Sequence, residues 1–411
     1  MEKKTHTFSR YQILAIIMIA LIQFTVVLDF MIMSPLGDIL MKSMSMSTAQ
    51  FGSVVSAYAI SAGLSGILAA GFADKYDRKK TLMFFYGGFV IGTVLCGLAY
   101  SFETLLAARI VTGIFGGVIG SISMAIVTDL FSLDQRGRVM GYVQMAFAAS
   151  QVMGIPLGLY IASVLNWQST FFMVVILATI AMIFTMIRLK PLTTHLQHKK
   201  EGNPVKHLMK TIRNKNYLMG FLATGLLSLG GFMLMPFTSP FLVNNVGISQ
   251  AQLPLVFMFT GIASIVIMPV IGKLSDKYDK LTLFTIGTFL AMLMIVIYTN
   301  MGVLPIWEVI LINVILFMGI MSRMVPSRAL DSAIPELQDR GAYMSISSSL
   351  QQFAGGIAAL FAGMVVVQET KESPIQNFNL LGYIMCGILL LCLYFVYRVN
   401  LLVKRRSLSR E

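Results

Sequence analysis

Long apolar runs alternate with short polar breaks along the whole chain. A helix needs about 20 apolar residues to cross a bilayer. Runs of that kind lie at 12–40, 48–73, 81–100, 103–130, 139–163, 169–190, 216–243, 251–272, 282–301, 306–330, 343–366 and 379–402. Backbone exposed to lipid has no water to bond, so each run must satisfy its own N–H and C=O groups as a helix. A barrel would show short alternating strands instead. The order is six runs, a long polar break and six more. The pattern predicts an all-α membrane protein of twelve transmembrane helices in two pseudo-symmetric six-helix bundles, 1–190 and 216–411, joined by a cytoplasmic linker, 191–215.

The polar breaks carry a charge asymmetry that sets orientation. Lys and Arg cluster in the even-numbered loops and at both ends: Lys3, Lys4 and Arg10; Lys75, Arg78, Lys79 and Lys80; Arg136 and Arg138; Lys273, Lys277 and Lys280; Lys404, Arg405 and Arg406. The central loop adds Lys199, Lys200, Lys206, Lys210, Arg213 and Lys215, whereas the opposite loops hold only Lys42 and Lys371. Positive charge stays on the cytoplasmic side, so both termini are expected there, in a multi-pass protein of the cell membrane.

Composition agrees. Of 411 residues 56% are apolar and 12% charged, against about 25% charged in a soluble domain. The formal charge of +13 falls in short loops and forms no stripe interleaved with aromatics, which argues against nucleic acid as a partner. Cys96, Cys386 and Cys392 lie inside apolar runs with no metal or disulfide spacing, and His6, His195, His198 and His207 lie in polar segments. No metal and no cofactor is expected. The first apolar run continues past Asp29 to Leu40 without a small-x-small cleavage site, so it reads as a span and not a cleaved signal.

The two halves repeat. Asp74-Lys75-Tyr76-Asp77 recurs as Asp276-Lys277-Tyr278-Asp279 and Ser47, Ala49 and Gln50 recur as Ser249, Ala251 and Gln252, both at a shift of 202 residues. Arg136-Gly137 recurs as Arg340-Gly341 at a shift of 204. Halves of equal span number share their direction through the membrane, which places the bundles about an axis along the membrane normal with a substrate site between them.

The loop Ala70-Gly71-Phe72-Ala73-Asp74-Lys75-Tyr76-Asp77-Arg78-Lys79 resembles the signature loop of the major facilitator superfamily, with Ala70 and Asp77 in place of the two glycines. Gly272, Asp276 and Lys280 keep part of it in the second half. Arg109 and Gly113 look like that family's fourth-helix motif. Gly154-Ile155-Pro156-Leu157-Gly158, followed by Asn166-Trp167-Gln168, is similar to its proton-antiporter branch for drug and sugar efflux, although Ile155 and Leu159 interrupt the antiporter pattern. The resemblance implies the major facilitator fold, alternating access and efflux.

Asp29 is the leading candidate for chemistry. A carboxylate inside a span costs several kcal/mol unless paired or protonated. Arg109 is its expected partner: Asp29 lies about 27 Å along the first span and Arg109 about 9 Å into the fourth from the other side, so both fall in the outer half. Arginine stays charged, and its approach or withdrawal would change how tightly the acid holds a proton; a static ion pair is the alternative. At a shift of 202 Asp29 falls on Gly231, and the seventh and eighth spans hold no acid, which places proton chemistry in the N-terminal half. Asp38 is the reserve proton carrier, though its place near the outer end favours simple solvation.

Asp74, Arg78 and Asp129, with Asp276 and Lys280 in the second half, are expected to form a cytoplasmic latch between the bundles. Arg323, Gln23, Tyr58, Gln151 and Asn313 are polar residues within spans and candidates for the substrate cavity; for Arg323, snorkelling to the surface is the competing reading. Gly113, Gly154 and Gly158 are read as close helix contacts and Pro156 as a bend, with Pro236 and Pro240 breaking the seventh span similarly. The methionines and phenylalanines face lipid, with a subset available for an adaptable cavity.

These readings converge on a secondary active transporter, a proton-coupled exporter of small amphipathic or drug-like molecules, acting as a monomer on its substrate and protons within the bilayer. A facilitator or lipid-like carrier without proton coupling is the alternative. A membrane receptor or scaffold is disfavoured by short loops, and an enzyme by the lack of a Walker loop or a nucleophile with its base.

Overall fold

The computed structural model describes residues 8–69, 76–193, 209–336 and 339–408. Among them are twelve long helical segments: α1 (Arg10–Ile32), α2 (Thr48–Ala69), α3 (Arg78–Gly97), α4 (Phe102–Leu130), α5 (Gln135–Val164), α6 (Trp167–Arg188), α7 (Lys215–Asn244), α8 (Leu253–Lys277), α9 (Lys280–Thr299), α10 (Ile306–Ser332), α11 (Arg340–Val365) and α12 (Phe378–Leu408). Eleven are long and apolar enough to cross a membrane by length and composition; α11 is the exception. It carries Ser345, Ser347, Ser348, Ser349, Gln351 and Gln352. The reason is its position. It packs along α2 between the bundles, so much of its surface never meets lipid.

Three spans depart from straight helices, each at a physical break. The run expected as one span at 12–40 divides at Ser34-Pro35, and a separate short helix, Gly37–Met44, completes the crossing. Within α7 the helix gives way to a single 3₁₀ turn at Met235–Phe237, where Pro236 lacks an N–H to donate. In α5 a π-helical turn, Ser150–Gly154, directly precedes Pro156 and accommodates the ring.

The halves mirror one another in their contacts. Asp77 and Asp279, 202 residues apart, both cap helices: Asp77 accepts from the Lys79 N–H at 2.8 Å and Asp279 from the Leu281 N–H at 3.1 Å. The Lys404 ammonium, bonded to Asp279 at 3.0 Å, and the capped N–H groups hold that carboxyl below the usual carboxylate range. Between bundles, α2 lies on α11 and α5 lies on α8. A Cβ added at Gly63 would stand 2.9 Å from the Phe353 ring, and one at Gly261 would stand 3.0 Å from Val152. The repeat relates the helix pairs, α2 with α11 and α8 with α5, though the glycines fall at different turns.

Glycine sets the approach of these helices. On α2 and α11, a Cβ at Gly52 would lie 2.7 Å from the Ala359 carbonyl oxygen and one at Gly363 would lie 2.8 Å from that of Thr48. On α5, Gly154 meets Leu28 and Gly158 meets Ile32 and Thr170, which seats α5 against α1. Gly113 on α4 faces the Tyr58 backbone and Ser61 of α2 so closely that no methyl fits. Gly113→Ala is therefore expected to destabilise the protein by about 1–3 kcal/mol through overpacking. Gly141→Ala, where a Cβ meets nothing within 4 Å, should be neutral. Thermal unfolding of the two purified variants checks this; equal midpoints would contradict it.

Candidate functional site

Four helices of the first half converge on one buried ion pair. Asp29 of α1 and Arg109 of α4 are both fully buried, with Arg109 Nη1 2.7 Å from Asp29 Oδ2. Thr93 of α3 donates its hydroxyl to Asp29 Oδ1 at 3.3 Å. The Arg109 guanidinium lies over the Tyr58 ring of α2, 4.5 Å from its centroid. Its Nε is buried without a hydrogen-bond partner. A buried pair of this kind repays desolvation only while both members are charged and close; removing one partner costs about 3–5 kcal/mol.

This pair does not line the central cavity but lies one aromatic ring behind a residue that does. The Tyr58 ring separates Arg109 from Phe30, with the two rings 5.3 Å apart, and Phe30 in turn meets Phe232 of α7 at 5.7 Å. The cavity, about 290 Å³, lies between the bundles against α1, α5, α7, α8 and α10. Five phenylalanines (30, 147, 232, 257 and 317) and five methionines (31, 235, 321, 324 and 385) line it. It runs from Ser34, Pro35 and Tyr298 to Ser327, Arg328 and Asp331, and Arg328 is exposed at the basic face, where the Lys- and Arg-rich loops lie.

Of the residues expected in the cavity, Arg323, Gln151 and Asn313 line it. Gln151 also accepts a hydrogen bond from Ser264 of α8 at 3.2 Å, bridging the bundles. Tyr58 and Gln23 are not part of the lining: Tyr58 is buried behind Phe30 as the cover of Arg109, and Gln23 lies toward Gly120 of α4. Both sit in spans of the right half, but sequence position alone does not reveal which side of a helix faces the cavity.

At the face opposite the basic loops the two bundles touch. Asp38, expected to be solvated, is fully buried. It accepts from Asn244 Nδ2 at 2.6 Å and from the Gln250 side-chain amide, and pairs with Lys42 at 3.0 Å. Lys42 also donates to Asn244 Oδ1 at 3.1 Å. Ser34 donates to the Met235 carbonyl, and Thr48 to that of Val366 at 2.6 Å. Lys42 and Asn244 are 202 residues apart, equivalent positions of the repeat that meet where the halves face each other. This group closes the cavity at that end.

The expected latch has a different form. Asp74 lies outside the described residues. Arg78, at the start of α3, has its Nε 3.4 Å from Asp129 Oδ2, near the end of α4, so this pair ties two helices of one bundle and does not bridge the two. Asp276 is exposed, and the ion pair at that corner is instead Asp279 with Lys404. The second half also holds an acid at the cavity that sequence reading passed over. Asp331 falls one residue beyond the tenth apolar run, yet it lies within α10 and accepts from the Tyr343 hydroxyl of α11. Thr93 was equally legible as a polar residue inside an apolar run; its role depends on facing Asp29.

Comparison with known proteins bears on this arrangement. The family model described as Major Facilitator Superfamily matches residues 19–359. An uncharacterized MFS-type transporter of Bacillus subtilis (strain 168), YbcL, is 28% identical over 391 residues, covering 92% of this chain and 95% of its own. A probable sugar efflux transporter of Helicobacter pylori (strain ATCC 700392 / 26695) is 27% identical over 255 residues, 61% of this chain and 63% of its own. The crystal structure of a D-xylose-proton symporter superposes with a TM-score of 0.76 over 94% of this chain and 97% of its own, at 15% identity. An inward-facing, unoccupied structure of a bacterial homolog of the human lysosomal transporter Spinster gives 0.73 over 96% and 98%, at 16%. At such identities the structures attest the fold alone.

Proposed function

The chain belongs to the Major Facilitator Superfamily, and on that premise we propose that it is a proton-coupled exporter of small amphipathic molecules working by alternating access. The single observation that carries the coupling is the Asp29–Arg109 pair, fully buried and joined through Tyr58 and Phe30 to the cavity wall. A carboxylate that gains a proton no longer holds its arginine by charge. The pair can therefore exist closed, as here, or opened by a proton, and these two states differ in how α1 sits against α4.

The cycle follows from which end is shut. With the basic face cytoplasmic, the cavity opens inward and the Asp38 group closes the outer side. Cargo enters among the phenylalanines and methionines, which adapt to varied apolar shapes. Parting of the segment after α1 (Ser34, Asp38) from α7 (Asn244) would open the cavity outward and bring the Asp29 level within reach of outside protons. Protonation then resets the protein to the inward state, and proton release to the cytoplasm accompanies re-formation of the pair. The apolar wall favours amphipathic cargo over the sugar named for the H. pylori relative.

The test is cargo-driven proton movement by the full chain in proteoliposomes over a panel of amphipathic compounds. Coupled movement supports the reading; cargo flux indifferent to a pH gradient would leave an uncoupled carrier.

A further inference from the structure

The second half of the protein contains a buried cation that no carboxylate among the described residues neutralises. Arg323 of α10 is 2% exposed and lines the cavity. Its Nε donates to the Thr288 hydroxyl of α9 at 3.2 Å, and its guanidinium lies 5.3 Å from the centroid of Phe284. The Cys392 thiol of α12 stands beside it, a weak acceptor. One terminal nitrogen, Nη2, is buried without any hydrogen-bond partner. Among the described residues no carboxylate lies within ion-pair distance. Asp331 on the same helix is about 12 Å further along the axis and is held by Tyr343. Snorkelling does not apply to a side chain so thoroughly enclosed.

Arg109 makes the comparison plain. It is equally buried, and Asp29 neutralises it at 2.7 Å. A charge buried without its counter-ion is costly, and Thr288 and Phe284 fix the orientation of the guanidinium while one N–H edge stays unsatisfied. We infer that Arg323 is the anchor for an anionic group of the cargo, and that the substrates are amphipathic organic anions. Their carboxylate or similar oxyanion pairs with Nη2, and their apolar body rests on Phe232, Phe257 and Phe317. Guanidinium suits this role through its fixed fork of donors. The assignment rests on the exporter reading only in calling the ligand cargo.

Binding to the purified full chain tests it without any gradient. The probes are naphthalene-2-carboxylate and 4-phenylbutanoate, each set against its neutral primary amide, in phosphatidylcholine nanodiscs with and without phosphatidylglycerol. Each acid should bind about tenfold or more tightly than its amide. Arg323→Gln should erase that preference, and Arg323→Lys should keep part of it. Without ligand, Arg323→Met should raise the unfolding midpoint, because it removes an uncompensated charge. Acids no tighter than amides, a preference that survives Arg323→Gln, or a lowered midpoint for Arg323→Met would each overturn the inference. Loss of the preference only when phosphatidylglycerol is present would assign the site to a lipid headgroup, against the proposal. An uncoupled protein that still prefers acids refutes the exporter reading alone. A coupled exporter blind to the acid refutes this inference alone.

Discussion

Asp29→Asn is expected to abolish uphill, proton-driven transport while leaving cargo binding and downhill exchange in place. The amide keeps the size and the hydrogen bond from Thr93, but it cannot take or release a proton. It also leaves Arg109 charged and fully buried with no anion, at a cost of about 3–5 kcal/mol. That cost falls on the closed state of the pair, so the variant should hold the pair open, as a protonated Asp29 would. The cavity itself is untouched, since Asp29 does not line it. Arg109→Ala should impair coupling as well, and Arg109→Lys should rescue only part, because an ammonium lacks the planar fork that reaches Asp29 while covering Tyr58. Retained uphill transport in Asp29→Asn would mean that the proton travels elsewhere.

The second large effect is expected in the short helix Gly37–Met44 that follows α1. Asp38→Ala removes the acceptor shared by the half-buried Asn244, Gln250 and Lys42 between the bundles. These contacts join the short helix Gly37–Met44 to α7 and its following loop, and they must break for the outer side to open. A group formed in one state alone stabilises that state alone, so its loss should shift the population toward outward-open. With about 1.4 kcal/mol per tenfold change in an equilibrium, loss of two charge-assisted hydrogen bonds at about 1.5–3 kcal/mol each corresponds to a shift of at least a hundredfold. Spin labels on the outer ends of α1 and α7 would report it as a longer distance. An unchanged distance distribution in Asp38→Ala would show that the closure is held by apolar packing, of Phe51 against Phe237 for example.

The same residue shows where sequence reading reaches its limit. Span positions were legible because lipid imposes length and apolarity on each helix, and the approximate repeat was legible because both halves keep the same corner residues. Asp29 and Arg109 could be paired from depth once the family resemblance makes their helices neighbours: each is a charge within an apolar run, at the same level. Asp38 stands near a helix end, where a charge is ordinarily wet. Only the fold shows that the equivalent end of α7 lies on top of it. The pairing of Arg78 with Asp129 inside one bundle was hidden for a related reason. Arg78 and Asp129 are close in level, but depth does not tell whether two helices belong to facing bundles or to one. Cavity residues divided by helix face: Arg323 and Asn313 turn inward from α10, whereas Tyr58 turns from the cavity toward Arg109. No apolar pattern separates these faces in a helix that is apolar all round.

The central claim is that movement of cargo and movement of a proton through Asp29 are one cycle. It is met most directly by recording internal pH in proteoliposomes when cargo is added to one side, for the wild-type chain and for Asp29→Asn side by side. The account predicts a cargo-dependent proton flux in the wild type, opposite in direction to the cargo, and none in Asp29→Asn despite continued downhill cargo exchange. Equal proton flux in both proteins, or cargo movement in the wild type with no proton flux at all, would contradict it.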